Sequence, residues 1–249
     1  MENKRPLIIA HRGASGTLPE NTLEAFWGAI CANADIIEMD LQLTKDNEIV
    51  IFHDKTIERI FPELNQNSKI NDFNLIDLQK YDSGSWLNKN YSHCRIPSLK
   101  DVFQNIPKNI SLILEIKGSE QLLIDKTLEM ISLYDRSLHK GYISVQNIDN
   151  YHYIIDNTKN KIKVALMQKK RSIEEFMNIV KENNIQIAQI RSQSWTSKDI
   201  KLLKESGVMI IAFYADYPQQ YEVLFQNNID GIFTNFPIRL GSFLYSKTF

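Results

Sequence analysis

Asp40-Leu41-Gln42-Leu43-Thr44-Lys45-Asp46-Asn47-Glu48-Ile49-Val50-Ile51-Phe52-His53 is the stretch that decides the fold. Two apolar, strand-like runs flank a polar link of five residues, Thr44 to Glu48. Parallel neighbours need a crossover of about a dozen residues or more, so the 49–53 run must return antiparallel, as a hairpin. Further strand-like runs lie near 7–10, 36–41, 111–116, 141–146, 163–167, 187–191, 209–213 and 231–234. With 49–53 set aside as a hairpin arm, eight runs remain, and most are followed by a helical pattern. Helices are predicted near 121–132, 148–157, 172–183, 196–206 and 217–227. The alternation predicts an α/β chain folded as a (β/α)8 TIM barrel, whose usual length of about 250 residues matches the 249 present. An open doubly wound sheet is the competing arrangement.

The first helix has Asn21 as a capping residue with Glu24 three positions on, and Leu23, Phe26, Trp27 and Ile30 as its apolar face. Residues 55–98 fit the alternation poorly, being rich in Asn, Asp and Ser. A connection this long is read as a small inserted cap or lid within a single catalytic unit spanning 1–249. It ends at Ile96-Pro97-Ser98-Leu99, where Ser98 caps a helix running to about Ile106.

Lys and Arg number 29 against 30 Asp and Glu. A net charge near zero gives no electrostatic footing for nucleic acid or an anionic membrane surface, so any anion recognition must be local. No apolar run approaches the roughly 18 residues of a spanning helix, and a signal peptide would have to consume the first strand. Two cysteines, Cys31 in a helical pattern and Cys94 in a polar loop, do not make a disulfide framework. A reducing compartment, with the cytoplasm as default, is the expectation. No heptad is present, and oligomeric state is not readable.

Chemistry gathers at strand ends, where α/β enzymes place it. Glu38 and Asp40 lie two apart on a strand, so both project from one face. The very apolar run Ser111 to Ile116 carries Glu115 and ends beside Lys117, again two apart. Taken singly, the first pair reads as solvated acids and the second as a buried ion pair. Together they offer three carboxylates for one hard divalent cation, Mg²⁺ or Ca²⁺ with Mn²⁺ also acceptable, while Lys117 binds phosphate or restrains the negative charge. His11 follows the first strand and Arg12 follows it directly, a proton carrier beside a guanidinium that can clamp phosphate. The hairpin returns His53 to about the level of Asp40, and two histidines near one cation can divide acid and base work. His93, His139 and His152 lie in polar segments and read as surface residues. Gly13-Ala14-Ser15-Gly16 lacks the residues of a nucleotide-binding loop and reads as a tight turn. The whole set suits phosphodiester cleavage better than peptidase or glycosidase chemistry.

Ala10-His11-Arg12-Gly13-Ala14, Pro19-Glu20-Asn21-Thr22, Glu38-Met39-Asp40, Thr44-Lys45-Asp46, His53-Asp54, Ile96-Pro97-Ser98-Leu99, Glu115-Ile116-Lys117 and Asp230-Gly231-Ile232 with Thr234 occur in order along nearly the whole chain. This ordered set resembles the glycerophosphodiester phosphodiesterase family. The resemblance implies a TIM barrel with a small insertion after the second barrel strand, hydrolysing glycerophosphodiesters to an alcohol and glycerol phosphate with a divalent cation. It implies His11 and His53 as the acid/base pair, Arg12 on phosphate, Glu38, Asp40 and Glu115 as metal ligands, and Lys117 lining the site. The chain departs from the family pattern at Arg59-Ile60-Phe61-Pro62, at Phe213-Tyr214-Ala215-Asp216, and at Asn235, where an aspartate is usual. Phe213 then stands as a smaller aromatic wall for substrate. The departures keep open the same chemistry on a lysophospholipid, an inositol phospholipid or a glycerol-phosphate unit of a surface polymer, and, further off, a noncatalytic phosphodiester binder.

Overall fold

The computed structural model describes residues 5–64 and 67–247. Nine strands form one sheet: β1 (Leu7–Ala10), β2 (Ile36–Leu43), β3 (Ile49–Ile51), β4 (Ser111–Ile116), β5 (Tyr142–Val145), β6 (Val164–Met167), β7 (Ile187–Arg191), β8 (Met209–Phe213) and β9 (Gly231–Thr234). All except β3 pair in parallel, and β1 pairs with both β2 and β9, so eight strands close into the expected barrel. β3 returns antiparallel on β2, with Leu41 opposite Ile51 and Leu43 opposite Ile49. The polar five-residue link can make no other connection.

Among the described residues the α-helices are α1 (Leu23–Cys31), α2 (Leu75–Leu78), α3 (Leu99–Asn105), α4 (Gln121–Leu133), α5 (Ile148–Thr158), α6 (Ile173–Glu182), α7 (Ser197–Glu205), α8 (Pro218–Gln226) and α9 (Pro237–Ser246). Ser98 caps α3 as expected, in a reciprocal box with Asp101. At α1 the expectation is off by one residue. Thr22 is the cap, accepting from the Ala25 amide, and Asn21 is free for another task. Trp27 also leaves the predicted apolar face: Ala25, Phe26 and Ala29 face the core, and Trp27, next to Phe26 around the helix, is exposed.

Alternation along the strands sorts the core into layers. One row per strand points into the barrel, and Ile9, Ile36, Ile113, Tyr142, Ala165, Ile187, Ile211 and Phe233 pack there as an apolar plug. The opposite rows join the helices in the main core, including Ala10, Ile37, Leu112, Ile143 and Leu166. Two residues beyond the plug, toward the carboxyl ends of the strands, the same inward rows carry His11, Glu38, Glu115, Ser144, Gln189, Phe213 and Asn235. The barrel thus turns polar at its mouth, which is where barrel enzymes work.

The segment 55–98 has its own apolar cluster of Ile57, Ile60, Phe61, Ile70, Leu78 and Ile96, packed against Val50 and Phe52 of the hairpin. Val50 bridges Ser98, and the Ile51 amide donates to Pro97 O at 2.9 Å, which pins the segment's exit beside β3.

Candidate active site

Each acid is placed by strand register. Glu38 and Asp40 point inward from β2, and Asp40 is paired in register with Glu115 on β4. All three are buried, and one carboxylate oxygen of each lies within 4.8 Å of the others. Lys117 Nζ is 2.7 Å from Glu115 Oε1 and 2.8 Å from Asp40 Oδ1. Gln146, two residues past Ser144 on β5's inward row, donates to Glu115 Oε1 at 2.9 Å. Asn21 donates to Asp40 Oδ2 at 2.8 Å.

Arg12 and Asn21 both have left-handed backbones (φ 56°), common for Asn but uncommon for Arg, which marks a constrained loop at Arg12. The turn lets the Arg12 amide donate to Glu38 Oε2 at 2.9 Å while its guanidinium reaches Glu20 (2.9 Å) and lies 3.3 Å from Asp40. Gly13 (φ 82°) makes the turn possible, because a Cβ there would meet the Ala25 backbone at 2.6 Å.

Burial raises the Glu38 carboxyl well above its ordinary pKa, reinforced by Asp40 and Glu115. Burial also opposes ionisation of Asp40, but Lys117 and Arg12 outweigh it and hold Asp40 low. Glu38 Oε1 is nonetheless buried without a hydrogen bond, whereas Asp40 Oδ1 has the Lys117 ammonium 2.8 Å away. Unpaired carboxylate oxygens at this depth are costly unless a cation takes them, so the donor set fits a hard divalent ion.

His11 and His53 stand in different surroundings. His11 Nδ1 is 2.8 Å from Asn235 Oδ1, which also accepts from Ser15 Oγ at 2.9 Å. The Asn235 amide is held by Asp216, since its Nδ2 donates to Asp216 Oδ2 at 2.6 Å and its backbone amide to Asp216 Oδ1 at 2.8 Å. Burial, followed by the charge of Arg12, lowers the His11 pKa far below its ordinary value, so the imidazole is neutral. His53 Nδ1 instead lies 2.8 Å from the Asp54 carboxylate, whose pKa falls because its bonds to His53 and Arg59 outweigh burial. The residue opposite Asp40 is Phe52, whose amide donates to Asp40 O, and His53 is one step further along. It is still close enough for its charge to favour ionisation of Asp40.

Several partners were not legible in the sequence as site residues. Arg59 of the inserted segment binds Asp54 at 2.5 Å and Glu20 at 2.6 Å, and lies 5.1 Å over the Trp86 ring. An ion-pair chain therefore runs from His53 through Asp54, Arg59 and Glu20 to Arg12. Tyr214 stacks on His11 with ring centroids 5.5 Å apart, whereas Phe213 is partly buried against the barrel plug. A cavity of about 270 Å³ opens beside His11 and Arg12, walled by Ser15, Glu20, Tyr214 and Phe236. The period-two count from Ser144 would have found Gln146. Asn21 was hidden because it and Thr22 are both good capping residues.

The model of the glycerophosphoryl diester phosphodiesterase family matches residues 11–239. A putative glycerophosphodiester phosphodiesterase of Bacillus subtilis, YhdW, is 31% identical over 240 residues, covering 92% of this chain and 94% of that protein. A glycerophosphodiester phosphodiesterase of Caldanaerobacter subterraneus is 29% identical, covering 94% and 95%. An Oleispira antarctica phosphodiesterase, solved with the product sn-glycerol-3-phosphate, shares the fold with a TM-score of 0.86 at 23% identity, covering 96% and 97%. Among the described residues no helix is long and apolar enough to cross a membrane.

Proposed function

We propose that this chain, which belongs to the glycerophosphoryl diester phosphodiesterase family, hydrolyses glycerophosphodiesters to an alcohol and glycerol phosphate, with a divalent cation and two histidines dividing the proton transfers. The observation that carries this reading is the buried Glu38, Asp40 and Glu115 cluster beside Arg12 and Lys117, with Glu38 Oε1 left without a partner. Its oxygen-only donors favour Mg²⁺ or Ca²⁺, with Mn²⁺ as a third candidate. Bound there, the ion would polarise the phosphoryl oxygens and offset the charge that builds on them.

The protein's own groups supply the rest. Arg12 and Lys117 set positive charge beside the phosphate position, and Phe213 and Tyr214 wall the mouth. Because Asp216 holds the Asn235 amide with Oδ1 toward His11, Nδ1 carries the His11 proton and Nε2 keeps a lone pair. His11 is therefore the general base for the attacking hydroxyl. Asp54, 2.8 Å from His53 Nδ1, fixes that ring with Nε2 free, which suits the general acid that protonates the departing alkoxide. The free Cys31 and Cys94 fit a reducing compartment, the cytoplasm.

Leaving-group chemistry tests this division directly. On glycerophosphocholine, His11→Ala and His53→Ala should each lose about 10²–10⁴-fold in kcat. On a p-nitrophenyl phosphodiester, whose leaving group needs no proton, His53→Ala should recover most activity and His11→Ala should not. Equal recovery of both variants would refute the assignment. Phosphorus NMR of the reaction distinguishes direct attack by water from passage through a cyclic phosphate.

A further inference from the structure

Outside the barrel mouth, Glu24 on α1 meets His93 and Cys94 at the end of the inserted segment, 69 and 70 positions later in the chain. One ligand atom of each lies within 4.8 Å of the others, and His93 Nε2 is 3.7 Å from Glu24 Oε1. We propose that Glu24, His93 and Cys94 form a second metal site, taking a borderline-soft divalent ion of the Zn²⁺ class.

The donor types separate it from the three-carboxylate cluster. Sulfur, imidazole nitrogen and one carboxylate oxygen are the ligands zinc prefers, and a hard ion such as Mg²⁺ gains little from the first two. The spacing is nearly that of a coordination sphere. Bond lengths of about 2.0 Å to nitrogen and 2.3 Å to sulfur set tetrahedral ligand atoms roughly 3.3–3.6 Å apart. The His93–Glu24 pair, at 3.7 Å, is close to that range, and the widest pair needs to close by little more than about 1 Å. Cys94 is fully buried and forms the floor, while the side chains of Glu24 (35% exposed) and His93 (63% exposed) leave the site open to solvent. A fourth ligand would come from solvent on that open side. Metal-free, burial and the adjacent Glu24 push the Cys94 thiol up to about 12, so the group is protonated. Binding replaces that proton with the ion and releases it to solvent. The bound ion would fasten the exit of the inserted segment to α1, whose preceding loop carries His11, Arg12 and Asn21.

The test is a Co²⁺ titration, with Co²⁺ as a coloured stand-in for Zn²⁺, on full-length protein in a Cys31→Ser background that leaves Cys94 the one thiol. The barrel-mouth ligands are all oxygen and give no thiolate-to-cobalt charge transfer, so the readout is independent of the phosphodiesterase reading. The proposal predicts one such band per chain, displaced by Zn²⁺ and absent in Cys94→Ser, with affinity reduced roughly tenfold or more in His93→Ala. Should Cys94→Ser fail to fold, His93→Ala and Glu24→Gln, both at solvent-facing positions, decide in its place. No band at millimolar Co²⁺, a band surviving in Cys94→Ser, or unchanged affinity in His93→Ala and Glu24→Gln would overturn it.

Discussion

Lys117→Met isolates the electrostatics of the three-acid cluster. The lysine Nζ stands 2.7–2.8 Å from Glu115 and Asp40, and the three side chains are only 16%, 8% and 0% exposed. Removing one partner of a buried ion pair costs about 3–5 kcal/mol, because the remaining charge has neither water nor counter-charge. Arg12, 3.3 Å from Asp40, and proton uptake by a carboxyl soften the loss, so we expect about 3 kcal/mol in chelator. For a chain of this size that is a fall in Tm of roughly 6–12 °C. The pH dependence has a definite sign. Glu38 is already held above its ordinary range by burial and loses the opposing charge of Lys117, so the folded state binds more protons than the unfolded one and the deficit grows as pH rises from 5 to 8. A saturating divalent cation should shrink the deficit, because removing the Lys117 charge lets the variant bind the ion more tightly than wild type and the difference in binding adds to its stability. Thermal unfolding of wild type and variant, in chelator and in millimolar Mg²⁺ or Ca²⁺, measures all of this. A deficit under about 2 °C in chelator, or one that added cation leaves unchanged, would refute the reasoning.

Three further outcomes are expected. Asp216→Asn places an amide against Asn235 Nδ2, frees Asn235 to turn over, and presents the wrong atom to His11; kcat should fall about 10–100-fold with little change in KM, and an unaltered kcat would show that Asp216 does not orient His11. Gly13→Ala forces a Cβ to 2.6 Å from the Ala25 backbone at φ 82°, so denaturant unfolding should register a loss of about 1–3 kcal/mol, and wild-type stability would mean that the turn relaxes freely. Arg59→Met breaks the link from Glu20 to Asp54 and loosens the carboxylate that holds the His53 ring, so kcat should fall about tenfold or more; an unaltered kcat would disconnect Arg59 from His53.

The barrel was legible because its signals are local and periodic. A five-residue link cannot join parallel neighbours, and that alone turned nine runs into a hairpin and an eight-stranded barrel. The acids were legible for the same reason, since residues two apart on a strand share a face whatever surrounds them. What failed needed tertiary information. Asn21 and Thr22 are chemically similar caps, and only the fold shows that Asn21 turns away to reach Asp40. The hairpin register places Phe52 and not His53 opposite Asp40, a one-residue offset that composition does not encode. Helix α9 begins at Pro237 and contains Gly241, so its propensity is weak and it holds by packing Leu240 and Leu244. Arg59 has no periodic context, and its pairing with Glu20 and Asp54 exists only once the inserted segment is seated.

The most direct test of the central claim is glycerol phosphate release from glycerophosphocholine by purified protein, with Mg²⁺, Ca²⁺ and Mn²⁺ supplied separately after chelation. The account predicts release that stops on chelation, returns with at least one of these ions, and is lost in Glu38→Gln, His11→Ala and His53→Ala. Release that persists in chelator, or that survives in both histidine variants, would contradict it.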